Sequence, residues 1–302
     1  MANVHSYTKN DAAAHKDASG GKLVICPTPI GNLGDVSFRM KDALENGDVV
    51  YAEDTRVTAK LLNALNIKQK LERCDEATLD KKSDEILELV ERGQCVVYCS
   101  DAGMPGISDP GLRLVALARA RAIDVEVLPG PVAAATAYVA SGCTNKNFYF
   151  GGFLPRKESQ RVCALKALQS LDAALIFYES PKRLVDSLCA IAQVFPKRNV
   201  SVCRELTKLH EEVFRANSLD VFEEFQAREG VQGIKGEIVI VIDGVCEYEL
   251  TSTAQEREAL AKTRAKDLKD QGYKNKDIAA ALVEEFKISR NVAYDIALST
   301  KA

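Results

Sequence analysis

The chain has 302 residues, 46% of them hydrophobic and 27% charged, with a formal net charge of -3. That length predicts two domains and an appendage. The near balance of charge excludes a protein that coats nucleic acid non-specifically and leaves room for a local basic face.

The opening residues, 1–21, are polar and alanine-rich and are expected to form a flexible leader. From Lys22 onward, short apolar runs ("KLVIC", "DVVYAE", "CVVYC", "DVEVL") alternate with helical patterns ("SFRMKDALENG", "TAKLLNALN", "KKSDEILELVERG", "GLRLVALARARA"). Strand alternating with helix predicts an α/β unit with a largely parallel sheet and right-handed crossovers, over 22–143. The uncharged stretch Val127 to Asn145 approaches the length of a membrane span. Its ends, "VLPGP" and "SGCTN", leave only a short apolar core helix. No membrane or secretory segment is expected, and the location is expected to be cytoplasmic.

The polar segment Ser141 to Asn147 marks a break. A second α/β unit is expected over 144–246, built on "NFYFGGF", "AALIFYE", "NVSVCREL", "EVFRA" and "GEIVIVID", with the last two paired antiparallel. Beyond it, 253–302 has no strand signal. A helix, a break at "KIS" and a second helix capped by Ser289 suit a small helix-turn-helix-like unit. Lys274, Lys276, Lys287 and Arg290 around the break could face phosphates. Alternatively Ile278, Leu282, Val292 and Ile296 pack the helices on the main body.

Nine cysteines, an odd number, lie mostly in apolar runs, and Cys95, Cys99, Cys189 and Cys203 are expected to be small core residues in a reducing compartment. With only His5, His15 and His210 to supplement them, no metal site is expected.

Four unusual loops each follow a predicted strand: "PTPIGNLGD", "AEDTR", "SDAGMPGISDPG" and "LPGPVAA". Glycine and proline at such density force the chain to turn, and an open α/β sheet would gather all four at its carboxyl edge, where ligands bind. There is no G-x-x-x-x-G-K-[ST] for a P-loop, and G-x-x-G-D replaces the dinucleotide fingerprint. Three histidines support no Ser-His-Asp set. Backbone amides, carbonyls and carboxylates suit a small polar ligand with a cationic centre and an adenosine, such as S-adenosylmethionine; composition alone does not choose it over a sugar or a nucleotide.

The ordered strings "TPIGNLGD", "AEDTR", "SDAGMPGISDPG", "LPGP", "GFLPRK", "FYESPKR", "RELTKLHEE" and "KGE" resemble the bacterial small-subunit ribosomal RNA (cytidine-2'-O)-methyltransferase family of the tetrapyrrole-methylase superfamily. The resemblance spans roughly Lys22 to Gly244, and the tail is similar to that family's C-terminal helical domain. It implies two α/β domains with S-adenosyl-L-methionine in the cleft between them, a homodimer, and methylation of the ribose 2'-hydroxyl of cytidine 1402 in 16S ribosomal RNA of the small subunit. Cofactor contacts would fall on Ile30, Gly31, Asp101, Ala102, Gly103, Met104, Pro131, Val132 and Tyr178. Three places depart from the family: Met104 for its usual Thr, Lys182 for its common His, and "RCDEAT" (Arg73 to Thr78) for a segment holding His and Asn.

Each of these residues also has a plainer reading. Asp101 could cap neighbouring amides, and Asp109 is expected to N-cap the following helix. Glu53, Asp54 and Arg56 form either a helix start with an internal salt bridge or a substrate-facing cluster. With Lys235 they are the candidates for catalysis; Lys235 and Glu237 also suit a plain turn. Arg156, Lys157, Lys182, Arg183, Arg204 and Lys208 are the candidates for RNA contact. The alternatives are C-methylation of a corrin or porphyrin precursor, and a non-catalytic nucleic-acid-binding regulator.

Overall fold

The computed structural model describes residues 20–245, 247–286 and 288–300. Most of the leader and Lys287 of the tail lie outside them.

The first half runs β1 (Lys22–Ile25), α1 (Phe38–Asn46), β2 (Val49–Ala52), α2 (Thr55–Ala64), β3 (Leu71–Arg73), α3 (Leu79–Glu91), β4 (Cys95–Cys99), α4 (Gly111–Ala120), β5 (Val125–Val127) and α5 (Ala133–Ala140). Its five strands form one sheet in the order β3-β2-β4-β1-β5, with every pair parallel. Successive side chains of a strand point to opposite faces. Leu23 and Ile25 accordingly join a core with Tyr51 and Tyr98, while Val24 and Cys26 join another with Val50, Val97 and Cys99. Burial on both faces explains why these strands read as unbroken apolar runs.

The second half runs β6 (Phe148–Phe153), α6 (Glu158–Ala167), β7 (Ala174–Glu179), α7 (Leu184–Val194), β8 (Asn199–Arg204), β9 (Glu212–Asn217), α8 (Ser218–Gln232) and β10 (Ile238–Ile242). The sheet order is β6-β7-β10-β8-β9. The expected pairing of "EVFRA" with "GEIVIVID" is corrected here. β10 lies between β7 and β8, antiparallel to both, and β9 pairs with β8. The physical reason is burial. All five residues of β10 are buried, which suits a central position. β9 carries Glu212, Arg215 and Asn217 and suits an edge.

α5 belongs to the first half in sequence but packs on the second sheet. Ala134 and Ala137 bury against Ala174, Ile176, Cys203, Val239 and Val241, and side chains this small let helix and sheet approach closely. The uncharged stretch is thus a core helix, and no described helix is long and apolar enough to cross a membrane. Cys189 departs from expectation. It stands exposed because α7 turns Leu184, Leu188 and Ile191 inward instead. Cys95 is half-buried, whereas Cys99 and Cys203 are buried.

The tail holds α9 (Glu247–Asp270), α10 (Asn275–Phe286) and α11 (Arg290–Ser299). Ser289 caps α11 by accepting from the Val292 amide. Ala261, Ala265, Leu268, Ile278, Leu282, Ala293 and Ile296 bury against one another as a separate small core, with Val292 packed on it. That corrects the reading in which Ile278, Leu282, Val292 and Ile296 pack on the main body.

Candidate functional site

The four loops do leave one edge of the first sheet, after β1, β2, β4 and β5, and all but "AEDTR" bear glycine and proline. Because β4, β1 and β5 are neighbours, three of the loops stand side by side where the order of strands reverses, the place at which open α/β sheets bind ligands. A cavity of about 440 Å³ opens there, closed on the other side by the second sheet. Ile30, Asp101, Ala102, Gly103, Met104, Val132 and Tyr178 line it, as does Glu53. Gly31 and Pro131 are not in the lining; the Pro131 carbonyl abuts Gly103 and Gly31 lies against Lys208.

Hydrogen bonds fix the central loop. Thr28 and Gly103 exchange both backbone bonds, each at 3.0 Å, and the Thr28 hydroxyl donates to the Ser100 carbonyl at 3.2 Å. Ser100 in turn donates its hydroxyl to the Gly103 carbonyl at 3.1 Å. Gly103 has φ +82°, and a Cβ there would sit 3.2 Å from the Ile30 side chain and 3.3 Å from the Pro131 carbonyl. Only glycine adopts that conformation without strain and presents bare backbone to the cavity. Farther along, Asp109 accepts from the Gly106 amide and from the Gly111 amide, with 2.8 Å contacts to each. Pro110, not Asp109, occupies the cap position of α4. Asp109 therefore closes the loop as well as serving the first turn of the helix.

Carboxylates crowd this side. Asp101 accepts from the Asp54 backbone amide at 2.8 Å, tying the β4 loop to the β2 loop. Its carboxyl is raised above the ordinary range, chiefly by burial, with the charges of Asp54 and Asp109 adding to it. Glu53 is raised too, first by burial and then by the Asp101 and Asp109 charges. Asp54 and Arg56 take the plainer of their two readings. Asp54 caps α2 through the Arg56 amide and pairs with the exposed Arg56 guanidinium at 2.6 Å, which holds its carboxyl well below the usual range. Of that cluster only Glu53 lines the cavity. The "RCDEAT" segment makes a different local structure, a turn in which Asp75 accepts from the Thr78 amide at 2.9 Å ahead of α3.

The opposite wall is aromatic, with cations beyond it. A register shift between Phe150 and Phe153 bulges β6 and turns Phe153 into the cavity lining, as bulges beside functional sites often re-aim a side chain. Tyr178 receives Phe150 and Phe153 edge-on, at 4.8 and 5.8 Å between ring centres. Its oxygen accepts from the Ala134 amide at 3.3 Å, at the amino end of α5, whose cap position has no side-chain hydrogen bond. Sequence reasoning missed Phe153, Glu179, Pro181, Leu206 and Val239 in the lining. The one available signal was the Gly151-Gly152 pair inside a strand.

The six basic candidates divide. Arg183 pairs with the buried Glu179 at 3.1 Å, Arg204 with Glu212 at 3.0 Å, and Lys208 with Glu205 at 2.9 Å and Glu237 at 3.2 Å. Lys208 also lies over Gly31, where a Cβ would come within 2.5 Å of its stem, so the two residues form a contact between the halves. Arg156, Lys157 and Lys182 are exposed. Lys235 is exposed as well and absent from the cavity lining; its carbonyl accepts from Arg204. Cys203 lines the cavity, but burial pushes its thiol up to about 12, which leaves it protonated and a poor nucleophile at neutral pH. Among the described residues no group of three His, Cys, Asp or Glu side chains is placed to hold a metal ion.

Residues 22–221 match the family model of the Tetrapyrrole (Corrin/Porphyrin) Methylases. The chain is similar to ribosomal RNA small subunit methyltransferase I of Thermotoga maritima, 41% identical over 74% of this chain and 99% of that one. Its counterpart in Bacillus subtilis is 35% identical over 91% and 93%, and that of Escherichia coli O157:H7 is 38% identical over 93% and 96%. Among solved structures, diphthine synthase superposes with a TM-score of 0.58 at 15% identity, covering 78% of this chain and 94% of that one. Uroporphyrin-III-C-methyltransferase from Thermus thermophilus gives 0.52 at 18%, covering 78% and 98%. At that identity the two show a shared fold. The chain belongs to the tetrapyrrole methylase family and, within it, to the ribosomal RNA small subunit methyltransferase I group.

Proposed function

We propose that the protein transfers a methyl group from S-adenosyl-L-methionine to the ribose 2'-hydroxyl of cytidine 1402 in 16S ribosomal RNA. We take the working unit to be a homodimer acting in the cytoplasm on the small ribosomal subunit, with functional units at 22–143, 144–246 and 253–302. The observation that carries this reading is a cavity with a carboxylate-bearing wall on the first sheet, an aromatic wall on the second, and exposed cations beyond the latter. The relatives' names supply the RNA.

The residues present fit the cofactor. A volume of about 440 Å³ falls within the roughly 300–1,000 Å³ of small-molecule pockets. Gly103 brings bare backbone to the wall, and Ile30, Val132 and Leu206 give it apolar surface. Glu53 and Asp101, both raised by burial, would ionise more readily beside a cation. Bound there, S-adenosylmethionine supplies an electrophilic methyl group on a sulfonium.

The chain's own contribution is chiefly alignment, since an in-line displacement gains most from holding the attacking oxygen in place. The loop knitted by Thr28, Ser100 and Gly103 sets one side of that geometry, and Phe153 and Tyr178 set the other. Glu53 is the member of the catalytic candidates that faces the cavity, and we assign it the 2'-hydroxyl proton. Its carboxyl is raised by burial, which makes it a stronger base than an exposed one.

Mass spectrometry of rRNA from a deletion strain, with and without the gene restored, tests the assignment. Loss and recovery of one cytidine 2'-O-methyl mark is expected, and an unchanged pattern would sink it. Labelled S-adenosylmethionine offered with small subunits or with a tetrapyrrole precursor separates RNA from a macrocycle as acceptor.

A further inference from the structure

Two arginines hold one loop on the second half. Arg183 donates to the Leu154 carbonyl, and Arg161 donates to the Pro155 and Arg156 carbonyls, each at 3.5 Å. Three successive carbonyls are thus turned onto guanidinium groups. Arg161 is 4% exposed. Among the described residues its hydrogen bonds go to carbonyls and none to a carboxylate, and its Nε has no partner. A buried cation without a counter-charge is costly. This one points toward the amino end of its own helix, α6, where Lys157 holds the cap position without a side-chain hydrogen bond.

Other positive charge converges on the same place. A helix amino end carries roughly half an elementary charge. β6 and β7 run parallel and finish side by side, Phe153 opposite Tyr178, so the loops 154–157 and 180–183 are neighbours. Arg156, Lys157 and Lys182 are exposed on them. The nearby carboxylates are Glu158, Glu179, Asp186 and Glu237, the last brought beside Ser180 by the pairing of β10 with β7 and already paired with Lys208 at 3.2 Å. Glu179 is buried and already bonded to the Ser180 amide, the Ser187 hydroxyl and Arg183. With Arg183 set against Glu179, four cations remain: Arg156, Lys157 and Lys182 exposed on the loops and Arg161 buried beneath them. Phe153 and Pro181 line the cavity, which puts this patch at its mouth.

We infer that the amino end of α6, with Arg156, Lys157 and Lys182, holds a backbone phosphate of the RNA beside the nucleotide in the cleft. Arg161 and Arg183 are positioning residues that fix the loop from beneath. The inference rests on the RNA reading above and assigns where the strand is gripped.

The test uses the full-length protein and small ribosomal subunits from a strain lacking the methyl mark. Replacing Arg156, Lys157 and Lys182 together with alanine is expected to raise KM for subunits about tenfold. It is also expected to flatten the slope of log KM against log salt by roughly 0.7, one single-strand phosphate contact, while the affinity for S-adenosylmethionine stays at the wild-type value. Arg161→Leu is expected to raise KM similarly, and Arg161→Lys to recover most of it. A triple variant with wild-type KM and salt slope overturns the phosphate site. An Arg161→Leu protein with a lower Tm but wild-type KM overturns the positioning role. A wild-type protein that leaves the subunits unmethylated overturns the RNA reading itself, before any variant is made.

Discussion

Along the first sheet the strand-end loops present carboxylates: Glu53, Asp101 and Asp109 all line the cavity. Along the second sheet the facing ends also put Glu179 and Glu237 in the lining, but cations gather beyond it. The two edges also treat their charges differently. On the first, Glu53 and Asp101 are held where burial disfavours ionisation, an arrangement that weakens the fold and is characteristic of functional sites. On the second, Arg183, Arg204 and Lys208 are neutralised by carboxylates from neighbouring segments, and Arg156, Lys157 and Lys182 stay exposed. One edge is suited to a single small cation, the other to a polymer of anions.

The contrast breaks most visibly at Glu53. If it takes the proton, Glu53→Gln should slow methyl transfer about 100-fold or more at saturating substrates, measured in single turnover. A rate within threefold of wild type would remove it from the chemistry.

Asp101 should give the next effect. Asp101→Ala is expected to weaken cofactor binding more than about tenfold in a folded protein, through lost charge and a lost partner for the Asp54 amide. Calorimetry on Asp101→Asn sharpens this, because asparagine still accepts from that amide. Wild-type affinity for the asparagine variant would reduce Asp101 to a structural tie.

A smaller effect concerns pH. A carboxyl raised in the folded state binds its proton more tightly there than in the unfolded chain. Its contribution to stability is full below the unfolded value, about 4, and is lost as pH rises through the raised value. Glu53→Gln lacks that loss. It should melt above the wild type at pH 7 and lose the advantage near pH 4. A variant less stable at pH 7 would mean that Glu53 supports the fold. Smallest of all, truncation after Gly244 should leave cofactor affinity within about twofold and raise KM for subunits only modestly, since acidic Asp277, Glu284, Glu285 and Asp295 dilute the tail's positive field. Lost cofactor binding would make the tail a structural prop.

Much of the first sheet was legible because its strands announce themselves as β-branched apolar runs and its loops as glycine and proline clusters. Both signals are local. What escaped depended on partners distant in sequence. Nothing in "GEIVIVID" names β7 and β8 as its neighbours; only the competition for the buried centre decides that. Arg204 reads as a free cation until Glu212 is seen opposite it, and Lys208 until Gly31 is seen beneath its stem. Asp54 and Glu53 are adjacent in the chain, yet one ends on a helix cap and the other in the cavity. The pattern told which residues reach an edge, and the fold told which of them are already engaged there.

The late arrival of β10 governs how the molecule must be made. All strands of the first sheet are complete once Val127 has been synthesised, and that sheet can close while the rest is still emerging. The second cannot. β7 and β8 must wait for Ile238–Ile242 to fill the gap between them, and until then their inner edges are unpaired and open to the wrong strand. A newborn chain therefore spends the interval from Arg204 to Ile242 with one half finished and the other an exposed, sticky intermediate. A stop codon just ahead of Ile238 would yield not a shorter enzyme but a substrate for chaperones and proteases.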